Sequence, residues 1–309
     1  MGDLGASARA ETWPDWLKRA LAAAPAQRRL PEPLELSAPL ALDWAETHCG
    51  RCRAYHGLWQ YRRIAGGVAA LGADGAIYQA IIAALRREEG LSRILISATA
   101  DYALQAVVRD AFRAVGAAET APQITVADRC ATPLLLNAWL AAERGGTVAT
   151  RQGDLLEMEL GGPYDLTISH SLFFWFSESE RERLTARWFA ALRPGGRVLL
   201  SNRVMKAPPI DAKHSTAKLI GELQAAAPLF PPSVLPRLLE LAPSLAAVWG
   251  GNKVESIAAL TGPFSRAGFE IEAVLVANDV LPNMRDVDTL PGRPVGAGKR
   301  HLVLARRPG

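Results

Sequence analysis

The sequence is poor in cysteine: its 309 residues include only Cys49, Cys52 and Cys130. So few cysteines exclude a small disulfide-stabilised protein, and an odd number fits a reducing compartment. The first residues carry no basic stretch followed by an apolar run, so we expect no secretory signal and a cytoplasmic location. The sequence also lacks the roughly 18 consecutive apolar residues that span a bilayer. We therefore expect no membrane partner.

A block of like charge is also missing. The chain has 35 basic and 31 acidic residues, and its basic residues occur in short runs such as Arg62-Arg63 and Arg306-Arg307. Nucleic-acid-binding domains concentrate basic residues on one face, so we expect no nucleic-acid partner. Hydrophobic residues make up 49% of the chain and charged residues 21%, which is typical of an ordinary globular protein with one large domain or two modest ones.

Hydrophobic spacing divides the chain into a helical part and an alternating part. Residues 1–90 show helix-like spacing without a convincing strand. Residues 91–309 instead alternate short apolar runs with helix-like segments, which predicts an α/β fold with a mostly parallel sheet covered on both faces. A Pro-rich helical segment at about 205–265 interrupts this alternation, so we interpret it as an insertion. We predict a tight turn at 193–196 and a Pro/Gly-rich loop at 281–299.

Residues that directly follow the predicted strands are the candidates for ligand binding, because ligands of open parallel sheets bind beyond the carboxyl ends of the strands. Asp128 ends the second strand, where a carboxylate can accept two hydrogen bonds from the vicinal hydroxyls of a ribose. Alternatively, Asp128 or Thr132 caps the helix that follows. Asp154, after the third strand, either contacts an adenine amino group or turns the chain.

The loop after the first strand, Ser97-Ala-Thr-Ala-Asp101, contains no glycine. Glycine usually lets the backbone of a nucleotide-binding loop approach its ligand and adopt positive φ angles. Without a Gly-x-Gly-x-x-Gly pattern the loop suits a diphosphate poorly. A ligand without phosphate, such as S-adenosyl-L-methionine (SAM), makes fewer demands on it.

His170 ends the fourth strand and is followed by an aromatic cluster. An imidazole at this position could act as a general base or bind substrate through a hydrogen bond, although a lone histidine is more often structural. The cluster Phe173, Phe174 and Trp175 either packs in the core or forms an apolar wall around a sulfonium or an apolar substrate.

A second group of candidates lies in the helical part. His48, Cys49, Cys52 and His56 fall within nine residues, whereas structural zinc sites usually draw their ligands from two separated pairs, so we predict no metal site. Helical spacing places Tyr55, Trp59 and Arg62 on one face. That face either packs on the next helix or lies over the cleft and holds a carboxylate, with arginine as the fork-shaped donor.

Four segments, in this order and spacing, resemble the class I SAM-dependent methyltransferase family: RILISATADYA, ITVADRCATPLLLNAWLA, GDLLEME, and YDLTISHSLFFWF followed by LRPGGRVLLSNR. The LRPGG turn before a hydrophobic strand is the most specific of them. The resemblance implies a seven-stranded Rossmann-like sheet whose last strand, at about 301–306, runs antiparallel. It also implies that residues 1–90 and the insertion form a lid. The sequence departs from the family pattern in its first loop, which lacks the usual acidic residue and glycines.

The resemblance implies SAM as cofactor, with residues 97–101 around its methionine part and Asp128 at its ribose. The implied cofactor-binding residues are Ser97, Ala98, Thr99, Asp128, Arg129, Cys130, Asp154, Leu155, His170 and Ser171. The candidates for catalysis are His170, Tyr61 and Asn202. The candidates for substrate and lid contacts are Tyr55, Trp59, Arg62, Phe173, Phe174 and Trp175.

Three functions are compatible with this resemblance. The first is SN2 transfer of the sulfonium methyl group to a small-molecule acceptor, which suits an aromatic-rich helical lid and a diffuse charge. The second is cyclisation of SAM to azetidine-2-carboxylate with release of methylthioadenosine. The third is a catalytically silent binding module, prompted by the glycine-free loop. We expect the first, a transferase with a small-molecule partner, and the sequence leaves a homodimer open.

Overall fold

A computed structural model of the chain describes seven ranges of residues: 12–24, 32–66, 71–116, 121–205, 212–248, 252–280 and 299–309. Nearly all of the loop predicted at 281–299 lies outside these ranges. Among the helices of the described part, none is long and apolar enough to cross a membrane.

Seven strands form one sheet in the order β3-β2-β1-β4-β5-β7-β6. The strands are β1 (Arg93–Ser97), β2 (Gln123–Asp128), β3 (Ala149–Gln152), β4 (Tyr164–His170), β5 (Leu192–Val204), β6 (Glu270–Val276) and β7 (Lys299–Arg306). β7 runs antiparallel to both of its neighbours, and the pairs from β3 to β5 are parallel. The α/β class and the antiparallel last strand are therefore confirmed. The order of the strands reverses between β1 and β4, which makes this the switch point of the sheet.

Eleven helices are present in the described part of the chain. They are α1 (Asp15–Ala22), α2 (Leu34–His48), α3 (Arg53–Ile64), α4 (Gly72–Glu89), α5 (Ala103–Ala114), α6 (Ala131–Glu143), α7 (Glu178–Ala191), α8 (Ala212–Ala225), α9 (Val234–Val248), α10 (Ile257–Arg266) and α11 (Ala277–Val280). Local signals set some of their ends. At the start of α7, Ser177 and Glu180 form a reciprocal capping box, and α4 ends at Glu89 and is followed by the capping residue Gly90, which has a φ of 69°.

The turn predicted at 193–196 is wrong, because this segment belongs to β5. β5 pairs with β4 through Leu192 and Tyr164, and the register then shifts before Arg197 pairs with Leu166. Gly195 lies in the shifted stretch with a φ of 77°, and its N–H donates to the carbonyl of Arg307 in a 2.9 Å hydrogen bond. The glycines therefore permit a bulge in a continuing strand and do not reverse the chain.

The helices of residues 1–90 pack in two groups. Helices α1 and α4 pack on the sheet, where Leu17 and Ile81 share a core cluster with Ile94 and Leu302. Helices α2 and α3 share a separate apolar cluster with α8 and α9 of the insertion, and α2 also packs on α5 and α6 through Ala41. We call these four helices the helical cap.

The insertion is also divided. Only α8 and α9 join the helical cap, whereas α10 packs on the sheet domain through Phe264, which contacts Trp188 of α7 and Phe269 beside β6. The cap therefore consists of two helices that precede β1 and two helices that are inserted between β5 and β6. It meets the sheet where α3 crosses the loop that follows β1, since Trp59 and Arg63 of α3 bind Asp101 of that loop.

Candidate functional site

Two non-glycine residues of the described chain have a positive φ angle, and both lie at the switch point. Ala98 follows β1 directly and Ser171 follows β4, each with a φ of 58°. This left-handed conformation costs an L-residue roughly 1–2 kcal/mol. Hydrogen bonds from the N–H of Ala98 to the carbonyl of Ala127 (2.8 Å) and from the N–H of Ser171 to that of Ser201 (2.7 Å) hold it in place. The backbone that glycine usually provides is therefore present here with other residues.

Asp128 at the end of β2 joins two loops of the sheet edge. Its Oδ2 accepts the Thr99 N–H at 3.0 Å, and its Oδ1 accepts the Cys130 N–H at 2.7 Å. The residue is only 6% exposed, and this burial raises the pKa of its carboxyl group, although nearby His56 and the two N–H groups oppose the rise. A carboxylate has about four lone-pair sites, so it can accept two further donors. Thr132, the alternative cap, instead places its hydroxyl 3.1 Å from the Cys49 sulfur.

The loop after β1 lies beneath α3. Asp101 is 2% exposed, and its Oδ2 accepts hydrogen bonds from Trp59 Nε1 at 3.2 Å and from Arg63 Nη1 at 2.5 Å. Arg63 also pairs with Glu32. Burial lowers the pKa of Arg63, but the two carboxylates outweigh it and raise that pKa above its ordinary value.

Sequence reasoning missed Arg63 and chose its neighbour. Arg62 points into the interior of the helical cap, where its guanidinium lies 3.5 Å from the Glu222 carboxylate of α8. Arg63 follows Trp59 by four residues and is therefore on the same face of α3. This i, i+4 spacing is the signal that would have found it.

A buried ionic network lies on the other side of the switch point. Asp74 of α4 accepts a 2.6 Å hydrogen bond from the Ser201 hydroxyl, and the same carboxylate oxygen lies 3.5 Å from Arg300 Nε and 3.7 Å from His170 Nδ1. Arg300 also donates to the Ser171 hydroxyl at 2.7 Å. Burial, together with the charges of Arg300 and Arg203, keeps the pKa of His170 well below its ordinary value. His170 is therefore a neutral imidazole near pH 7.

Asn202, a candidate for catalysis, is next to this network in β5 and is 2% exposed. Its Nδ2 donates to the Arg203 carbonyl at 3.0 Å, while its Oδ1 is buried without a hydrogen-bond partner in the described part of the chain. A buried amide oxygen in this state is able to accept a donor from a ligand.

Three other candidates have structural partners. Tyr61 packs edge-on against Phe230 within the helical cap, with ring centroids 5.3 Å apart, and burial raises its pKa to about 12. Phe173 stacks on Trp188 and Phe264 in the core. The hydroxyl of Ser97 accepts the Trp188 indole N–H at 2.9 Å. We assign these three to packing.

The residues after β2 and β3 are divided between surface and core. Asp154 is exposed, and its Oδ1 accepts the Leu156 N–H at 2.9 Å, which is the contact of a residue that turns the chain. Leu155 is buried in an apolar cluster of the sheet domain. Arg129 is exposed, and its carbonyl accepts a weak hydrogen bond from the Gln152 amide.

Aromatic side chains from α3 and from the turn after β4 come together beside Asp101. Tyr55 lies 5.4 Å from Trp59 and 5.6 Å from Trp175, measured between ring centroids, and Trp175 contacts Phe174 at 5.5 Å. Burial raises the pKa of Tyr55, so its hydroxyl stays protonated. Trp175 is 40% exposed and forms the outer edge of this aromatic group.

The three cysteines meet at one point. Cys49, Cys52 and Cys130 lie with His56 so that one ligand atom from each falls within 4.8 Å of the others. The prediction of no metal site assumed that the candidate ligands all came from nine consecutive residues. Cys130 is 78 residues away from Cys52 in the chain, so that premise does not hold. These four residues are able to hold a metal ion.

Comparisons with known proteins find similarity in structure only. No family model matches the chain. No curated protein matches it in sequence. Among solved structures, the SAM-dependent methyltransferase SibL is 16% identical with a TM-score of 0.47, and the alignment covers 95% of this chain and 74% of SibL.

Two further solved structures have comparably low sequence identity and TM-score. The mitomycin 7-O-methyltransferase MmcR is 15% identical with a TM-score of 0.46, and the alignment covers 95% of this chain and 66% of MmcR. The magnesium protoporphyrin IX methyltransferase of Synechocystis PCC 6803, solved with bound SAH, is 12% identical with a TM-score of 0.44 over 76% of this chain and 84% of that enzyme. The fold assignment of this chain therefore depends on its own strand order.

Proposed function

We propose that this protein transfers a methyl group from SAM to a small-molecule acceptor. The observation that carries the proposal is the switch point, where the left-handed Ala98 and Ser171 directly follow the two central strands. Strained backbone of this kind is typical of ligand-binding positions. Asp128 lies at the same edge of the sheet, at the position where the family resemblance implies a ribose contact.

The adenosine end of SAM fits the residues that are present. The two N–H groups that donate to Asp128 leave about two lone-pair sites on its carboxylate. A vicinal diol supplies two hydroxyl donors. The cofactor carries no phosphate, so it does not need the glycine-rich loop that this chain lacks.

The methionine end of SAM is a zwitterion, and the loop after β1 and the helix α3 above it together offer both opposite charges. Asp101 would receive the ammonium group, and Arg63 would bind the carboxylate as a fork-shaped donor. In the structure these two side chains bind each other at 2.5 Å. Arg63 also pairs with Glu32, so a fork-shaped contact to the cofactor would take the place of the pairs that Arg63 makes with Asp101 and with Glu32.

When bound, SAM would supply a methyl group activated by the adjacent sulfonium. The chain's own contribution would be to align acceptor and methyl carbon and to exclude water. The aromatic group of Tyr55, Trp59, Phe174 and Trp175 provides ring faces suited to a cation and to an apolar acceptor. If the substrate carries a hydroxyl group, the neutral His170 and the buried Asn202 Oδ1 would accept hydrogen bonds from it. Because α3 covers this edge, the proposal favours a small acceptor.

The test is cofactor affinity measured by calorimetry with SAM and with its demethylated product. In Asp128→Asn the ribose loses a charged acceptor, so we expect binding to weaken by about 1–3 kcal/mol, roughly 5- to 150-fold. The matched control is Asp154→Asn, which removes the exposed carboxylate that turns the chain and should change affinity less than about twofold.

Unchanged affinity in folded Asp128→Asn, or an equal loss in both variants, contradicts the proposed site. Mass spectrometry of the reaction tests the chemistry. The demethylated product should form only when an acceptor is added. Methylthioadenosine released without an acceptor contradicts methyl transfer.

A further inference from the structure

We propose that Cys49, Cys52, His56 and Cys130 bind one Zn²⁺ ion that fastens the helical cap to the cofactor-binding edge of the sheet. The four residues come from two distant parts of the chain. Cys49 follows α2, Cys52 precedes α3, His56 lies in the first turn of α3, and Cys130 precedes α6. This inference does not depend on the proposed function, because zinc binding is measured without cofactor or acceptor.

The size of the cluster fits a single ion. Zinc binds sulfur at about 2.3 Å and nitrogen at about 2.0–2.1 Å in a tetrahedron, which places neighbouring ligand atoms roughly 3.5–4 Å apart. The four ligand atoms here all lie within 4.8 Å of one another. Cys52 and Cys130 have their sulfur atoms 2.7 Å apart, so a small outward movement of the side chains would admit the ion.

The sequence spacing also fits. Cys49 and Cys52 form a C-x2-C pair of the kind that structural zinc sites use. His56 follows Cys52 by four residues, and α3 begins at Arg53, so both point to the same side of the start of α3. Cys130 completes the set from the loop that follows β2. Four protein ligands leave no open position, which is the pattern of a structural and not a catalytic zinc site.

Neighbouring groups are arranged to orient the ligands. The Thr132 hydroxyl lies 3.1 Å from the Cys49 sulfur, and it can donate to a thiolate there. His56 Nδ1 lies 3.4 Å from the Ala100 carbonyl, so a proton on Nδ1 would leave Nε2 for the ion. Ligands held by such outer contacts are typical of metal sites in proteins.

The charges near the cluster suit bound thiolates. Zinc binds deprotonated cysteine, so binding would release the three thiol protons to solvent. Three thiolates and one Zn²⁺ leave a charge of −1 beside the Asp128 carboxylate. Arg51, Arg53 and Arg129 are immediate sequence neighbours of the three cysteines, and all three are exposed. Their positive charges offset the negative charge of the centre.

The consequence for the fold is a fixed link between two segments. Cys130 donates its N–H to Asp128, so the ion would hold the loop that carries Asp128. His56 lies one turn before Trp59 on α3, so the same ion would hold the helix that covers Asp101. Zinc would thereby fix the position of the helical cap relative to the edge of the sheet.

The experiment uses the full chain expressed with zinc and purified with its thiols reduced. We expect about one zinc per chain by native mass spectrometry and elemental analysis. Replacing zinc by Co²⁺ should give the visible bands of a tetrahedral site and a thiolate-to-cobalt charge-transfer band. Cys49→Ser, Cys52→Ser and Cys130→Ser should each weaken metal affinity by at least about 100-fold, more than the loss of an outer contact costs.

Two histidine variants sharpen the test. His48→Asn removes an exposed histidine beside Cys49 that is outside the cluster, and it should retain one zinc. His56→Cys should retain the metal and raise the charge-transfer intensity by about one third, because three thiolates become four. This second readout needs no variant that has lost a ligand, so it remains informative if the serine variants do not fold.

Three results would overturn the proposal. The first is reduced wild-type protein that is saturated with neither zinc nor cobalt at micromolar metal. The second is protein purified without reductant whose mass is lower by the two hydrogens lost when Cys52 and Cys130 form a disulfide. The third is His48→Asn losing the metal as completely as Cys130→Ser does. Each would show that the four residues do not form the zinc site.

Discussion

Two polar corners flank the switch point of the sheet, and they are built differently. The sulfur corner consists of Cys49, Cys52, His56 and Cys130, and it joins the helical cap to the loop after β2. The ionic corner consists of Asp74, His170, Ser201 and Arg300, and it joins α4 to β4, β5 and β7. In the ionic corner a carboxylate meets a guanidinium from the same chain. In the sulfur corner all four groups are electron-pair donors.

This difference explains why only the sulfur corner should require a cation from solution. Asp74 is stabilised by the charge of Arg300 and by the Ser201 hydroxyl. The three thiols and the imidazole instead share the same chemical role, and a divalent ion would satisfy all of them together. The two corners therefore predict separate responses to mutation and to pH.

The largest effect that we expect concerns the charge of the ionic corner. Asp74→Asn retains an amide oxygen for Ser201 but removes the buried negative charge that lies 3.5 Å from Arg300 Nε. Removing one partner of a buried pair is costly, and because the Arg300 side chain is 18% exposed we expect a loss of about 2–3 kcal/mol in the free energy of unfolding. Urea denaturation of the zinc-loaded protein measures it.

The control for this change is an ion pair at the surface. Asp15→Asn removes the partner of Lys18 in an exposed pair and should alter the free energy of unfolding by less than about 0.5 kcal/mol. Equal effects of the two substitutions would show that Asp74 and Arg300 do not stabilise the ionic corner.

A smaller effect that we expect is a pH dependence of the free energy of unfolding that comes from His170 of the ionic corner. Because the pKa of His170 is lowered in the folded state, the unfolded chain binds a proton there that the folded chain does not. Stability is therefore lost as the pH falls through the ordinary histidine value near 6.5. One pH unit below that value the loss is about 1.4 kcal/mol. His170→Asn should remove this part of the pH dependence.

The measurement is the difference in free energy of unfolding between pH 7.5 and pH 5.5 for wild type and His170→Asn. His48→Asn is the control, because His48 is exposed at the end of α2. A wild-type difference that persists in His170→Asn would place the titrating group elsewhere, with the ligands of the sulfur corner as the next candidates.

Sequence patterns predicted the parts of the site that are local. Hydrophobic runs located the strands, so the positions of Asp128 and His170 at the ends of β2 and β4 are as predicted, while their roles in binding and catalysis stay predictions. The missing glycines were noticed as well. The structure shows that Ala98 nevertheless adopts a left-handed backbone.

The contacts that the sequence did not predict are those between distant segments. Nothing near Cys52 indicates that Cys130, 78 residues later, completes its cluster. Asp74 is one acidic residue in the first turn of α4, and only the packing of that helix brings it to His170. Tyr61 shows the converse, because this candidate for catalysis packs with residues of α8 and α9 that are distant in sequence.

The most direct test of the central claim is a crystal structure with a non-reactive SAM analogue such as sinefungin. The account predicts that both ribose hydroxyls donate to the Asp128 carboxylate and that the amino-acid end lies between Asp101 and Arg63. Electron density for the analogue away from the edge between β1 and β4, or a protein that binds none of it at saturating concentration, would contradict the account.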